Sequence, residues 1–381
     1  VAAELITGIS ELTTVDVEER VLTDAAVVHE QGEIVWIGPS GSAPEADTRV
    51  DVGGRAMLPG WVDSHTHLVF AGDRAAEFVA RMAGQPYAAG GIGVTMEATR
   101  AASDQQLREL IADRVESSIR GGTTCLEVKT GYGLNVEEEG RAARLAAEVT
   151  DEVTFLGAHL TPPGISTDDY LDLVCGPMLD VVRPHARWAD VFCEEGAFDV
   201  DQSRQVLTAC REAGLGLRVH GNQLGHSGGV ALAVEMEAAS VDHCNFLSAA
   251  DIEMLAAADT VATVLPACDL STRAPLAPAR DLLAAGATIA IASNCNPGTS
   301  YTTSMNFCVA TAVLQMELTL AEAITAATWG GARALQRDDV GRIVIGARAD
   351  LQVLDAPSAT HLAYRPGMPL THLVWRSGQP A

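Results

Sequence analysis

A (β/α)8 barrel of the TIM type, carrying a small β-sandwich domain built from both chain ends, is the α/β fold this sequence predicts. Three observations predict it. Apolar strand-like runs alternate with amphipathic helical segments through the middle of the 381-residue chain, the signature of repeated βα units and a parallel sheet. Short extended segments punctuated by turn residues occupy both termini. Polar groups gather where the apolar runs stop, as they do at the C-terminal strand ends that carry the chemistry of such barrels.

The N-terminal strand candidates are Ala25–His29, Glu33–Ile37 and Thr48–Val52, broken by Gln31-Gly32, Gly38-Pro39 and Gly53-Gly54. Asp350–Leu354 and Leu370–Trp375 resemble them at the other end. The two sets predict one composite β domain from residues 1–56 and 344–381, with the catalytic barrel at 57–343. Within the barrel, strands are expected at Thr123–Val128, Val153–Ala158, Asp190–Phe192, Gly216–Val219, Ala239–Asp242, Thr260–Leu265 and Thr288–Ala292. Helices are expected at Asp104–Arg120, Val136–Ala147, Val200–Ala213, Gly228–Met236, Ala249–Ala257 and Leu320–Leu335.

Composition narrows the function classes. Fifty acidic against 25 basic residues give a formal charge of −25, which argues against nucleic acid, whose phosphates need clustered Lys and Arg. No apolar run reaches the roughly 18 to 20 residues of a membrane span, and Val1 to Ile6 lack the pattern of a signal peptide. Eight scattered cysteines without a C-x-x-C pair read as reduced core thiols. A cytoplasmic enzyme with a small-molecule substrate is the expectation. Lys129 is the only lysine; it ends an apolar run and enters a Gly turn, and its compact ammonium is not interchangeable with a guanidinium.

The strongest local signal is His65-Thr66-His67, behind the turn Leu58-Pro59-Gly60. Residues i and i+2 of a strand share a face, so two imidazoles emerge together as candidate ligands of a divalent metal. A lone histidine at a strand end is more often a packed or hydrogen-bonded residue. Here the strand ends carry His65 and His67, then Lys129, His159, Glu194, His220, His243 and Asn294. That succession favours a site.

The stretches Val69-Phe70-Ala71-Gly72-Asp73-Arg74, Lys129-Thr130-Gly131-Tyr132-Gly133-Leu134, Phe155-Leu156-Gly157-Ala158-His159, Val241-Asp242-His243 and Asn296-Pro297-Gly298-Thr299-Ser300 accompany the His-x-His pair. Together they resemble the metal-dependent amidohydrolase superfamily and, within it, the imidazolonepropionase family of histidine breakdown. Gly346-Ala347-Arg348-Ala349-Asp350-Leu351 matches the superfamily's flanking β domain, so nearly the whole chain takes part. The resemblance implies hydrolysis of the ring amide of 4-imidazolone-5-propanoate to N-formimino-L-glutamate, with one metal ion, Zn or Fe. It implies His65, His67, His220 and the residue at 294 as ligands, and His243 as the group that stabilises the oxyanion or orients the attacking water. It also implies Arg74 for the propanoate carboxylate, for which a surface ion pair with Asp73 or Glu77 is the competing reading. Tyr132, His159, Gln223, Asn296, Gly298 and Thr299 would surround the ring. Lys129 would be a positioning cation in preference to a carbamylated metal bridge, and the protein a homodimer.

Two positions depart from the family pattern. Asn294 stands where the family has a metal-binding, proton-accepting Asp, and Gln223 where it often has Glu. An amide can ligate through its oxygen but cannot take the proton, and loss of a positioned base costs about 10²- to 10⁴-fold in rate. A slower enzyme using His243 and Gln223, another cyclic amidase or heterocycle deaminase, and a ligand-binding homologue without turnover all fit these residues. The intact substrate-holding set favours the enzyme.

Overall fold

The computed structural model describes residues 3–18, 20–84 and 91–381. Val1 and Ala2, part of the segment read above for a leader, lie outside the described residues. Two sheets organise the chain. The strands are β1 (Glu4–Thr13), β2 (Val21–Glu30), β3 (Glu33–Pro39), β4 (Thr48–Pro59), β5 (Trp61–Asp63), β6 (Thr123–Lys129), β7 (Glu152–Ala158) and β8 (Trp188–Cys193). They continue with β9 (Gly216–Gly221), β10 (Ser240–His243), β11 (Val261–Val264), β12 (Ile289–Ile291), β13 (Leu351–Leu354), β14 (Thr371–Arg376) and β15 (Gln379–Pro380).

A seven-stranded sheet in the order β15-β14-β13-β4-β1-β2-β3 joins the two chain ends. Its central strand is β4, with β1 parallel to it on one side and β13 antiparallel on the other, Leu351 opposite Pro59, and β2 runs antiparallel to β1. The alternation of Ile6, Val27, Ile34, Met57, Leu351, Val353 and Trp375 supplies its core. The expected composite sheet is therefore present, with the β4–β13 pairing joining the two chain ends and β1 as a strand the turn signals did not single out.

An eight-stranded sheet runs in sequence order from β5 to β12, parallel at each recorded pair from β6 onward. The segment beyond β5 meets the segment beyond β12 in a parallel bridge between Thr66 and Cys295, which joins the two edges. The expected barrel strands fall within a residue or two of these spans. The helices are less regular than the periodicity implies. The predicted Leu320–Leu335 is a helix to Thr325, a π-helical turn over Ala326–Gly330 and a further helical turn to Ala334; such π turns widen a helix locally. Among the described residues no helix is long and apolar enough to cross a membrane.

Two compact units divide the chain: Val1–Ser64 with Glu116–Cys125 and Ser304–Ala381, and His65–Val115 with Leu126–Thr303. In the first, Trp61 is buried and its Nε1 donates to Asn306 Oδ1 at 2.9 Å, while Val62 packs with Ala332 and Leu335. Gly331 makes that packing possible, because a Cβ there would overlap the Val62 carbonyl oxygen. Gly331→Val should accordingly lower stability by about 1–3 kcal/mol, the usual cost of overpacking. Denaturant unfolding measures it, and an unchanged midpoint would show that helix and strand separate freely.

Candidate active site

The second unit carries the site. Its barrel strands are buried at nearly every position, yet they place charged residues on the inward face. Alternation puts Glu127 and Lys129 on one face of β6, Arg218 and His220 on one face of β9, and Ser240 and Asp242 on one face of β10. All six are buried, and Asp190 on β8 joins them. Lys129 Nζ lies 2.8 Å from Glu127 Oε1, 2.9 Å from Asp190 Oδ2 and 3.8 Å from Asp242 Oδ2. Arg218 Nη2 approaches Asp242 at 3.4 Å.

Each carboxylate in turn holds a histidine-bearing segment. Glu127 Oε2 accepts the backbone N–H of Thr66 at 3.0 Å, between His65 and His67. Asp242 Oδ2 is 2.7 Å from His65 Nδ1. Asp190 Oδ1 accepts the His220 backbone N–H at 3.0 Å, and its Oδ2 lies 2.9 Å from His220 Nδ1. Holding one imidazole nitrogen with a carboxylate fixes the tautomer and turns the other nitrogen outward, the usual support of a metal ligand. Burial alone would raise Asp242 and Asp190. The Arg218 and His65 contacts hold Asp242 well below the usual carboxylate range, and the His220 and Lys129 charges do the same for Asp190.

Above this layer the imidazoles converge. His65 Nε2 and His67 Nε2 are 3.2 Å apart, and ligand nitrogens of His65, His220 and His243 lie within 4.8 Å of one another. Burial, reinforced by the Lys129 charge, depresses His65 to about 3. Burial also holds His67 and His243 well below the ordinary histidine value, with neighbouring imidazoles adding to it. Neutral imidazoles are the form that binds metal. Two nitrogens on a tetrahedral ion at about 2.0–2.1 Å would stand about 3.3 Å apart, close to the spacing of the His65–His67 pair. The donor set therefore fits a divalent metal ion.

Asn294 joins this group through the bridge that closes the barrel: its N–H donates to His65 O at 3.0 Å, and His67 N–H donates to Cys295 O at 3.0 Å. Its backbone is left-handed at φ 52°, a conformation Asn and Asp tolerate better than most residues. Its amide nitrogen lies 3.4 Å from Thr299 Oγ1, and the residue lines the cavity. His243, at φ 86°, is a sharper outlier, of the kind that collects at functional sites.

One cavity is lined by His67, Arg74, Tyr132, His159, His220, Gln223, His243, Asn294, Asn296 and Thr299, with Ile92, Leu160 and Phe192 as apolar wall. All the residues picked from the sequence for the ring and its carboxylate line it except Gly298, which abuts Arg74 and faces an outer cavity. Asn296 Oδ1 accepts the N–H groups of Gly298 and Thr299 at 2.9 and 2.8 Å, so this side chain folds its own loop. His159 is pushed to about 4 by burial and the nearby His220, and its Nδ1 is 2.9 Å from Gly131 O. Arg74 is paired with Glu77, Nε–Oε2 and Nη2–Oε1 both at 2.7 Å. The competing ion pair and the cavity position thus coexist.

Four groups escaped sequence reasoning. Glu127, Asp190, Asp242 and Arg218 were legible only as charges interrupting apolar strands, a signal that marks inward polar residues without naming their partners. Glu139, in the first turn of the helix Val136–Ala147, escaped it as well. Its buried carboxylate accepts from the N–H groups of Gly131, Gly133 and Leu134 at 3.1, 2.7 and 2.8 Å, shaping the loop that carries Tyr132. Glu194, at the end of β8, takes the Gln223 N–H and is raised by burial to about 6.

Comparison with known proteins places the chain in a family. The amidohydrolase family model matches residues 56–380. The imidazolonepropionase of Saccharopolyspora erythraea is 67% identical, over 98% of this chain and 97% of its own. That of an Arthrobacter species is 65% identical, over 98% of each. Among solved structures, an adenosine deaminase from Xanthomonas campestris with bound zinc is similar with a TM-score of 0.74 at 21% identity, covering 99% of this chain and 92% of that one. Atrazine chlorohydrolase from Arthrobacter aurescens, complexed with zinc, gives 0.76 at 18%, over 99% and 94%. At such identities these last two show the fold.

If the Lys129 ammonium balances the three carboxylates beneath the histidines, Lys129→Met leaves buried charge uncompensated. Breaking a buried pair in this way costs about 3–5 kcal/mol, measurable by chemical denaturation. A variant as stable as the parent would show that the cluster adds nothing net to the fold.

Proposed function

The chain belongs to the amidohydrolase family and, within it, to the imidazolonepropionases, and from that we propose that it hydrolyses the ring amide of 4-imidazolone-5-propanoate to N-formimino-L-glutamate. The observation that carries this reading is the meeting, in one buried cavity, of four imidazoles with a guanidinium able to take a carboxylate. We assign His65, His67, His220 and Asn294 as the metal-holding set, and zinc as the ion, with iron the alternative. What a divalent ion supplies there is Lewis acidity, toward the ring carbonyl and toward water, whose pKa falls to about 7.

The residues of the chain do the rest. Arg74 binds the propanoate through charge-assisted hydrogen bonds, which draws the ring toward the imidazoles. Tyr132 and His159 flank the ring, their own rings 5.7 Å apart between centroids, with Thr299 and Gln223 opposite. Water adds to the ring carbonyl carbon, the carbon–nitrogen bond breaks, and the proton released by the water passes to the departing nitrogen. Asn294 has no site for that proton. His243 does: its imidazole is neutral, and its Nδ1 is buried without a hydrogen-bond partner. We assign the proton transfer to His243, with Gln223 holding the ring. Asn294 would also hold a divalent ion less strongly than an aspartate, because an amide offers it no negative charge.

Metal analysis of purified protein together with the loss of 4-imidazolone-5-propanoate absorbance tests the reading. About one zinc per chain, as a single mononuclear site requires, with turnover is expected; loaded protein that leaves this compound intact while hydrolysing another heterocycle would overturn it. Asn294→Asp should raise both metal retention and the turnover number, the latter by about tenfold or more. An equal or lower rate would mean that the site is built around the amide. Arg74→Ala should raise KM by about 10- to 100-fold, corresponding to the roughly 1.5–3 kcal/mol of a charged hydrogen bond, with metal content unchanged.

A further inference from the structure

Arg74 does not stand alone. It precedes the helix Ala75–Met82, and Glu77, one turn into that helix, grips it along the Nε/Nη2 edge through the two 2.7 Å contacts. Arg81, one turn further and buried, places Nη1 3.6 Å from Glu77 Oε1. Its Nη2 donates to Gly298 O at 3.1 Å and to Ser271 Oγ at 3.2 Å. Two glycines wall the group in. A Cβ on Gly298 would overlap Arg74 Nη1, and one on Gly91 would overlap both Arg74 Nη2 and Glu77 Oε2.

This arrangement has three physical consequences. The single carboxylate of Glu77 is divided between two guanidinium groups, Arg74 at 2.7 Å and Arg81 at 3.6 Å. The two hydrogen bonds fix the plane of the Arg74 guanidinium and take one of its edges, while the side chain still reaches the cavity. Gly91 and Gly298 close on the guanidinium from two sides, and the paired Glu77 carboxylate holds it there. A guanidinium fixed in this way cannot follow a ligand whose carboxylate arrives too short or too long.

We propose that Glu77 is a positioning residue for Arg74, and that the fixed guanidinium makes the cavity selective for the length of the substrate's carboxylate arm. The inference rests on the reading that Arg74 receives the carboxylate, and the experiment separates the two. Imidazoles carrying acetate, propanoate and butanoate arms serve as ligands, their dissociation constants measured on the zinc-loaded protein by calorimetry.

The parent should favour the propanoate over both others by about tenfold or more, the effect of one well-placed hydrogen bond. Glu77→Ala should reduce that preference to about threefold or less while binding of the acetate and butanoate changes little. Glu77→Gln, which keeps one acceptor and the side-chain volume, should fall between, and it carries the test if the alanine variant folds poorly. A Glu77 variant that retains the parent's length preference would overturn the proposal. So would one that binds all three arms more tightly by the same factor, because Glu77 would then be a competitor for Arg74. If Arg74→Ala binds the propanoate as the parent does, the carboxylate assignment itself fails, whatever Glu77 does.

Discussion

The ammonium of Lys129 among Glu127, Asp190 and Asp242 is the interaction on which the site depends. Taking ions of this size out of water costs several kcal/mol each, even after relaxation, and here at least five are wholly buried once Arg218 is counted. The burden is offset because every carboxylate has two tasks. Each faces a cation, and each holds a backbone or imidazole N–H of a strand that ends at the cavity. Geometry at the top of the barrel is thus inherited from charge pairing one layer below. The arrangement also explains why a compact ammonium serves at this position, since a planar guanidinium would present its donors in one plane to carboxylates arriving from three strands.

Much of the fold was legible in the chain, and the part that was not has a physical cause. Strand alternation and turn residues are local, and they located the barrel strands and the composite sheet. The His65-Thr66-His67 pair was equally plain. Pairings between strands were not: nothing around Asp190 says that it will meet both Lys129 and His220. The backbone of Asn294 and His243 was hidden for another reason. Left-handed φ values arise where the chain must turn at a strand end while keeping a side chain over the cavity, a tertiary demand with no glycine to announce it. Asn296 shows a third limit, since an asparagine that lines a pocket and one that folds its own loop look alike until the loop is built.

The cavity inverts the electrostatics of the whole protein. A chain with a formal charge of −25 repels small anions at long range, yet among the described residues the cavity wall holds Arg74 and no carboxylate. The acids that serve the site are turned inward beneath the histidines or, like Glu77, set against guanidinium groups. Selectivity for an anion is therefore a property of the last few ångströms, where screening by water is weakest. Asn294 fits the same distribution, replacing a charge by a dipole on that wall.

One compositional fact gains a practical meaning once Lys129 is placed. The only lysine of the chain has no exposed surface, so the folded molecule presents no lysine side chain to amine-directed reagents. Acylation at that residue becomes a clock for the opening of the barrel, readable by mass at a single position and free of background from other lysines.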